Sequence, residues 1–313
     1  MDRLEAMRSF VKVVEAGSVS GAADRLGVAK SAVSRRLRDL EAHLGAELIR
    51  RTTRRLALTD SGRAYYERCR RILEDVNEAE EAVSIQQGRL AGRLRVAAPL
   101  SFGLRHLQPA IIDFMRRHPD VQFDLDLNDR QVDLMAEGVD VGVRIADLAD
   151  SSLMARRLAP VRSLVCASPG YLAERGTPAT PEALADHDCL VYINQPDPFL
   201  WRYLDETGRP GHVGIHPRLA ANNGDLLCEA AAAGQGILLT PTFIAYRDIA
   251  AGRLQPILTA LRWPQINAYA LYPQTRHLSA RVRAFVDFLA GRFAGEPYWD
   301  TEIGQVGGPR LLG

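Results

Sequence analysis

Lys30, Ser31, Ser34, Arg35 and Arg38 are spaced so that a helix would carry them on one side, and each side chain can donate hydrogen bonds. A guanidinium can grip a guanine edge with two parallel bonds, and a hydroxyl can serve a phosphate or either kind of base edge. Further along, the stretch from Leu48 to Leu58 reads as two short strands around an arginine-rich tip, with Arg51 and Arg54 placed to lie along phosphates or enter a minor groove. A single arginine on a helix is as often a solvated surface residue. The cluster carries more weight, because Arg25 to Arg71 holds 13 Lys and Arg against 5 acids, a local charge of +8 in a chain whose total is +1. Basicity so confined is what a polyanion-binding surface needs.

The elements that could hold these donors in place are legible on either side of them. Leu4, Met7, Phe10, Val11 and Val14 recur at threes and fours until Gly17, as one buried helix face requires. A second helix is expected from Ser20, whose hydroxyl can take an orphan amide. Ala22, Ala23 and Leu26 give it a small apolar face, and Gly27 can end it in the left-handed conformation. The third should run from about Lys30 to Leu44, with Val33, Leu37, Leu40 and Leu44 as its buried stripe and Gly45 closing it. With the two strands this makes a winged helix-turn-helix over residues 1–59. Thr59 can cap the next helix, residues 60–88, in which Tyr65, Cys69, Ile72, Val76, Ala79 and Val83 form an a/d seam. That stripe either packs on its own domain or joins two copies. A long helix linking two domains favours a homodimer.

Together these residues resemble the LysR-type family of bacterial transcriptional regulators. The resemblance rests on Phe10, Gly17-Ser18, Ala22-Ala23, Leu26, Ser31, Val33-Ser34-Arg35, Leu40-Glu41, Leu44-Gly45, Leu48, Arg51, Leu58-Thr59 and Gly62, all at the family's spacing. Three positions depart from it. Ala29 stands where many members have a hydroxyl cap, which weakens the helix start by about 1 kcal/mol. Ile49 replaces the commoner Phe, and Lys30 a frequent Gln. The resemblance implies double-stranded DNA as a partner, read at an interrupted inverted repeat. It further implies a homodimer through the linker helix, assembly as a homotetramer, and RNA polymerase as a further candidate partner.

From residue 89 the pattern changes to short apolar runs alternating with helical periods, the signature of an α/β domain with an open, mostly parallel sheet. Expected strands are Leu94–Ala97, Phe123–Leu127, Val139–Ile145, Leu164–Ala167, Leu190–Ile193, Arg218–Ala221, Gly236–Thr240 and Ala268–Tyr272. The expected helices are Phe102–His118, Val132–Glu137, Gly224–Ala233 and Leu278–Phe293. In such sheets ligands sit beyond the carboxyl ends of strands, against helix starts. Two strand-to-helix turns meet that description, Ala98-Pro99-Leu100-Ser101-Phe102 and Asn222-Asn223-Gly224-Asp225. Ser101 and Asn223 are the leading candidates to hold a small-molecule effector, with Phe102, Asn128, Arg144 and Thr242 beside them; plain helix capping is the alternative for Ser101 and Asn223. The resemblance implies a two-lobed, periplasmic-binding-protein-like effector domain over residues 89–294, its second lobe inserted at about 160–264. Residues 295–313, rich in glycine and without a period, read as a loose tail.

Other classes find little support. The chain has no G-x-S-x-G, H-E-x-x-H or G-x-x-x-x-G-K-[ST] pattern and its histidines are scattered, so neither an enzyme, a metal site nor a cofactor is expected. His212 and His216 stand four apart, yet Gly211, Gly214 and Pro217 argue against the helix that would align them. No apolar run approaches the roughly 18 residues of a membrane span, and the start lacks an apolar signal segment, so a cytoplasmic, nucleoid-associated protein is expected. Cys69, Cys166, Cys189 and Cys228 contain no C-x-x-C pair and fit a reducing compartment. Two alternatives remain open: a regulator that senses redox state through these cysteines, and a solute-binding module, against which the basic first ninety residues argue.

Overall fold

The computed structural model describes residues 2–51, 56–86, 90–130, 134–147, 153–274 and 278–305. Helix α1 (Arg3–Ala16) is capped by Asp2, whose carboxylate accepts the amides of Leu4 and Glu5, and it stops where Gly17 turns left-handed at φ 64°. Helix α2 (Val19–Leu26) starts one residue ahead of expectation, and its cap lies two ahead: it is Ser18 and not Ser20 whose hydroxyl accepts an amide, that of Gly21. Helix α3 (Lys30–Leu44) has the expected limits, and Ala29 gives it no side-chain cap. Phe10, Val33, Leu37 and Leu40 meet with Ala22 and Ala23 in one core, where the two alanines let the helices cross closely. Strands β1 (Ile49–Arg51) and β2 (Leu56–Leu58) pair antiparallel as the wing. Its tip, with Arg54, lies outside the described residues.

Helix α4 (Asp60–Gln86) follows directly, and its start is knotted to the wing. Thr59 donates its hydroxyl to the Glu47 carbonyl and accepts the Gly62 amide, while Glu41 of α3 accepts the amides of Leu48 and Ile49. A β-carbon on Gly62 would lie 2.0 Å from the Leu48 carbonyl oxygen, so only glycine fits there. The a/d seam divides. Tyr65 packs on Phe10 and Cys69 is fully buried in the winged-helix core, so the first turns serve their own domain. Ile72 is 41% exposed and Val76 half-buried, and the side chains of the later seam positions, Ala79 and Val83, lie outside the described residues.

The remaining chain builds two lobes. It begins with β3 (Gly92–Ala98), α5 (Leu100–Phe102), a wide π-type turn at Gly103–Leu107, and α6 (Gln108–Arg117). Next come β4 (Val121–Leu127), α7 (Leu134–Glu137), β5 (Val141–Ala146) and the long β6 (Leu153–Ala167). The second lobe adds α8 (Pro169–Arg175), β7 (Cys189–Tyr192), β8 (Leu200–Leu204), β9 (Pro210–Gly214), β10 (Pro217–Ala221) and α9 (Gly224–Ala232). It continues through β11 (Ile237–Pro241), α10 (Thr242–Ala250) and β12 (Gln255–Ile257). The chain then returns by β13 (Gln265–Pro273) to α11 (Ala280–Arg292) and α12 (Tyr298–Gln305).

Among the described residues the main sheet runs β10-β7-β11-β6-β13-β5-β3-β4, with β12 added on β6. It is mixed, not mostly parallel. The two crossover strands, β6 and β13, lie antiparallel to each other and to their neighbours β11, β12 and β5. Strand β6 changes partner at the hinge: Arg162 still faces Gln265 of β13, whereas Ser163 faces Pro241 of β11.

The stretch from residue 295 differs from the expected loose tail. Pro297 opens α12, Trp299 and Ile303 are fully buried, and Trp299 packs against Phe102, Phe243 and Phe293. A tryptophan and an isoleucine four apart bury one helix face, and that burial outweighs the poor local propensity of a glycine-rich segment. Residues 306–313 lie outside the described ones.

Candidate functional site

On α3 the sequence-predicted donors are presented as the helical spacing requires. Lys30, Ser31, Arg35 and Arg38 are exposed and Ser34 is half-buried, with Val33, Leu37 and Leu40 turned inward on the opposite side. Arg36, equally basic in the sequence, turns back to pair with Glu5 at 3.1 Å and reach Ser9 at 3.4 Å, so it braces α1. The uncapped start at Ala29 leaves α3 amides without a side-chain acceptor. Arg51 lies on β1 opposite Leu56. The result is a convex, donor-bearing helix beside a wing, both anchored to one core.

The two strand-to-helix turns of the lobes face each other. Ser101, at the start of α5, donates to Asp225 of α9 at 2.5 Å, and Arg105 Nε meets the other oxygen of the same carboxylate at 2.6 Å. Arg105 also donates to the Ile244 carbonyl at 3.1 Å. Nearby, the Leu100 amide is taken by Asp129, whose own carbonyl accepts from Asn194 across the cleft. Burial raises the pKa of the Asp129 carboxyl, an effect the Leu100 amide opposes and the Asp225 charge reinforces. The candidate side chains at both turns are therefore already engaged within the chain. Asn223 caps α9 through Leu226, and Ser101 is held by the chain's own carboxylate. The lobes are latched by Ser101, Arg105 and Asp225.

Of the other predicted contacts, Asn128 bonds Asp126 and the Arg130 amide beside the Asp129 turn, and Arg144 is half-buried on β5 opposite Tyr269. Phe102 and Thr242 are corrected by the structure. Both are fully buried: Phe102 lies among aromatic rings, and Thr242 donates to the Arg162 carbonyl, so each builds the hinge and neither meets the cleft. A π-type turn carries both Arg105, aimed at Asp225, and His106, aimed into the hinge. His106 Nε2 lies 3.0 Å from the Phe243 carbonyl, which can only accept, so Nδ1 accepts from Tyr298 at 2.5 Å. Burial pushes the pKa of this neutral imidazole down to about 4. Arg162 at the β6 crossover bonds Asp300 at 2.5 Å and Glu296 at 2.7 Å, tying α12 to the hinge.

Arg105, Asp225 and Asp129 escaped sequence reasoning, because Asp225 reads as an ordinary acid in a first helical turn and lies 120 residues from Arg105. All four cysteines are buried and unpaired, and burial pushes the Cys166 and Cys189 thiols up to about 12 and Cys228 higher still. Redox sensors need an accessible thiolate, so the cysteine-sensing alternative is not supported. Among the described residues no cluster of His, Cys, Asp and Glu could hold a metal ion, and no helix is long and apolar enough to cross a membrane.

A basic winged helix joined to a latched two-lobed domain is the architecture of a ligand-governed DNA-binding protein. Residues 4–63 match the bacterial regulatory helix-turn-helix protein family, lysR type, and residues 87–294 match the LysR substrate binding domain. The chain belongs to the LysR family: it is a DNA-binding transcriptional regulator with an effector-binding domain. An HTH-type transcriptional regulator of Xanthomonas campestris is 37% identical over 290 residues, covering 90% of this chain and 83% of the relative. A transcriptional repressor of Pseudomonas aeruginosa is 36% identical over 299 residues, covering 95% and 94%. The solved structure of CrgA, a LysR-type regulator from Neisseria meningitidis, has a TM-score of 0.60 at 35% identity, covering 93% of this chain and 99% of that one. Regulators of this family bind DNA and effectors and form oligomers. The family match of the N-terminal residues disfavours a solute-binding module.

Proposed function

We propose that this regulator reads an interrupted inverted repeat with two copies of α3, and that a small organic effector controls it by breaking or remaking the latch between the lobes. In this reading residues 1–59 bind DNA through Lys30, Ser31, Ser34, Arg35, Arg38, Arg51 and Arg54. Residues 60–88 pair two copies and residues 89–294 sense the effector. The observation that carries it is the double grip of Ser101 and Arg105 on Asp225, since these contacts between the lobes are polar, few and placed where a ligand can compete. A ligand that binds one relation of the lobes better than another shifts the population between them, by an amount its differential affinity sets.

Pairing through α4 at Ile72 and Val76 is supported by the exposure of Ile72. Leu104, Ile112 and Met115 of the first lobe, together with Leu125 on the sheet-edge strand β4, are exposed apolar residues that fit a second contact between dimers, hence a tetramer. Work at a promoter places the protein in the cytoplasm on the nucleoid, with RNA polymerase as a neighbour. Its relatives are named as transcriptional regulators, and no catalytic role is proposed.

Incubating the purified protein with sheared DNA from its own genome at physiological salt, then sequencing the retained fragments, tests this reading. Fragments sharing an interrupted inverted repeat are expected. Retention without a shared sequence would refute specific reading, and no retention would refute the assignment of Lys30 to Arg55 as the DNA face.

A further inference from the structure

A cavity of about 1050 Å³, lined by none of the latch residues, opens between the β8–β9 hairpin and the loop that joins β12 to β13. Its walls include Leu164, Tyr203, Ile257, Leu261 and Trp263, and three arginines, Arg162, Arg202 and Arg262, outnumber the single acid, Glu206, among its lining residues. The rim's Arg162 and Arg202 are engaged by acids outside the cavity. Arg262 is exposed, and its guanidinium meets no acid among the described residues. The size and makeup are those of a small-molecule site: mostly apolar walls with a few polar groups that fix orientation.

Two further observations fall on the same wall. Trp263 is 8% exposed, wedged against Trp201 and Tyr203, and its indole N–H has no acceptor among the described residues. That N–H is closed off from the cavity, as are the equally unpartnered N–H groups of Trp299 and Arg162 Nε, so Trp263 serves the wall through its ring. Leu258, between the wall residues Ile257 and Thr259, has φ 51°, and among the described residues it alone is a non-glycine residue in the left-handed region. Branched side chains rarely hold that conformation, and such strain concentrates at ligand sites. Gly211 completes the wall, since a β-carbon there would lie 2.5 Å from the Tyr203 ring.

We infer that this cavity is a second ligand site, separate from the interlobe cleft, for an amphipathic organic anion: an apolar, preferably aromatic body against Trp263 and Tyr203, and an acidic group toward Arg262. Its position gives it leverage on the hinge. Arg162, Ser163 and Gln265 line it, and they are the residues at which β6 exchanges β13 for β11. A ligand here touches both crossover strands where the lobes pivot.

The test uses the full-length protein with its three tryptophans replaced by 5-fluorotryptophan, titrated with anilinonaphthalene sulfonate as an aromatic anion and followed by fluorine NMR. Trp263→Phe assigns the Trp263 signal. A saturable shift of that signal is expected, with the buried Trp299 signal unmoved. Arg262→Ala should weaken binding roughly tenfold, the size of one charged contact. Ala260→Phe, at an exposed wall position, should abolish it by filling the space. Ser101→Ala, in the interlobe latch, should retain the saturable Trp263 shift, its affinity altered only through the hinge. The inference is overturned if the Trp263 signal does not move, if both wall variants bind as the parent does, or if Ser101→Ala removes the shift.

Discussion

Arg35 and Arg36 are neighbours in sequence in opposite settings: one is exposed on the outward side of α3, the other braces Glu5 and Ser9. Arg35→Ala should therefore cost about 1 to 3 kcal/mol of operator binding and blur preference at one base pair. Arg54→Ala should weaken all sequences alike and flatten the salt slope. A titration series at several salt concentrations separates the two, and unchanged preference in Arg35→Ala would displace α3 from the groove. His106 makes the second prediction at this scale. It is neutral when folded with its pKa at about 4, against 6.5 for an ordinary imidazole, so the unfolded chain binds a proton first as pH falls. Stability is then full above about pH 6.5 and declines down to about pH 4, by about 2 kcal/mol between pH 7 and pH 5. Urea unfolding of His106→Gln at those two pH values should show a lower starting stability and a smaller drop; an equal drop would remove His106 as the cause.

Helix α4 shows why a heptad pattern alone does not name its partner. Tyr65 and Cys69 satisfy the spacing by packing inside the winged-helix core, and of the later seam positions Ile72 is exposed and Val76 half-buried. Val76→Asp should lower the oligomeric state measured by light scattering, and an unchanged mass would remove this helix from the interface. Helix α12 is the element hardest to see in advance. A proline followed by Tyr298, Trp299 and Ile303 was a usable signal, yet the glycines around it masked the period. Its burial makes Trp299→Ala cost about 3 to 5 kcal/mol of folding stability. A denaturation midpoint within error of the parent would return this segment to the status of a tail.

Across the whole molecule, the Gly62 knot fixes the reading head to α4, and α1 touches α7 of the first lobe, so lobe geometry and DNA-reading geometry share a frame. The latch supplies the adjustable joint. Asp225→Ala removes the acceptor that holds both Ser101 and Arg105, at a cost of about 2 kcal/mol for the charged contacts. Operator binding should persist while the response to effector is lost in a promoter reporter, and a normal response would refute the latch as the control point. Small-angle scattering of the variant should show a larger radius of gyration for the same oligomer.

What the sequence determined by itself is whatever obeys a local period or a cap. The limits of α3, the left-handed stops at Gly17, Gly27 and Gly45, the wing, and most strands of the two lobes follow from apolar spacing and glycine chemistry over a few residues. The tertiary structure alone decided which charges meet. The pairing of Arg105 with Asp225, the burial of Phe102 and Thr242, the antiparallel hinge strands, the small strands β8, β9 and β12, and the burial of α12 all depend on contacts between distant segments. No spacing encodes such contacts, because each residue's partner is set by where the whole chain folds.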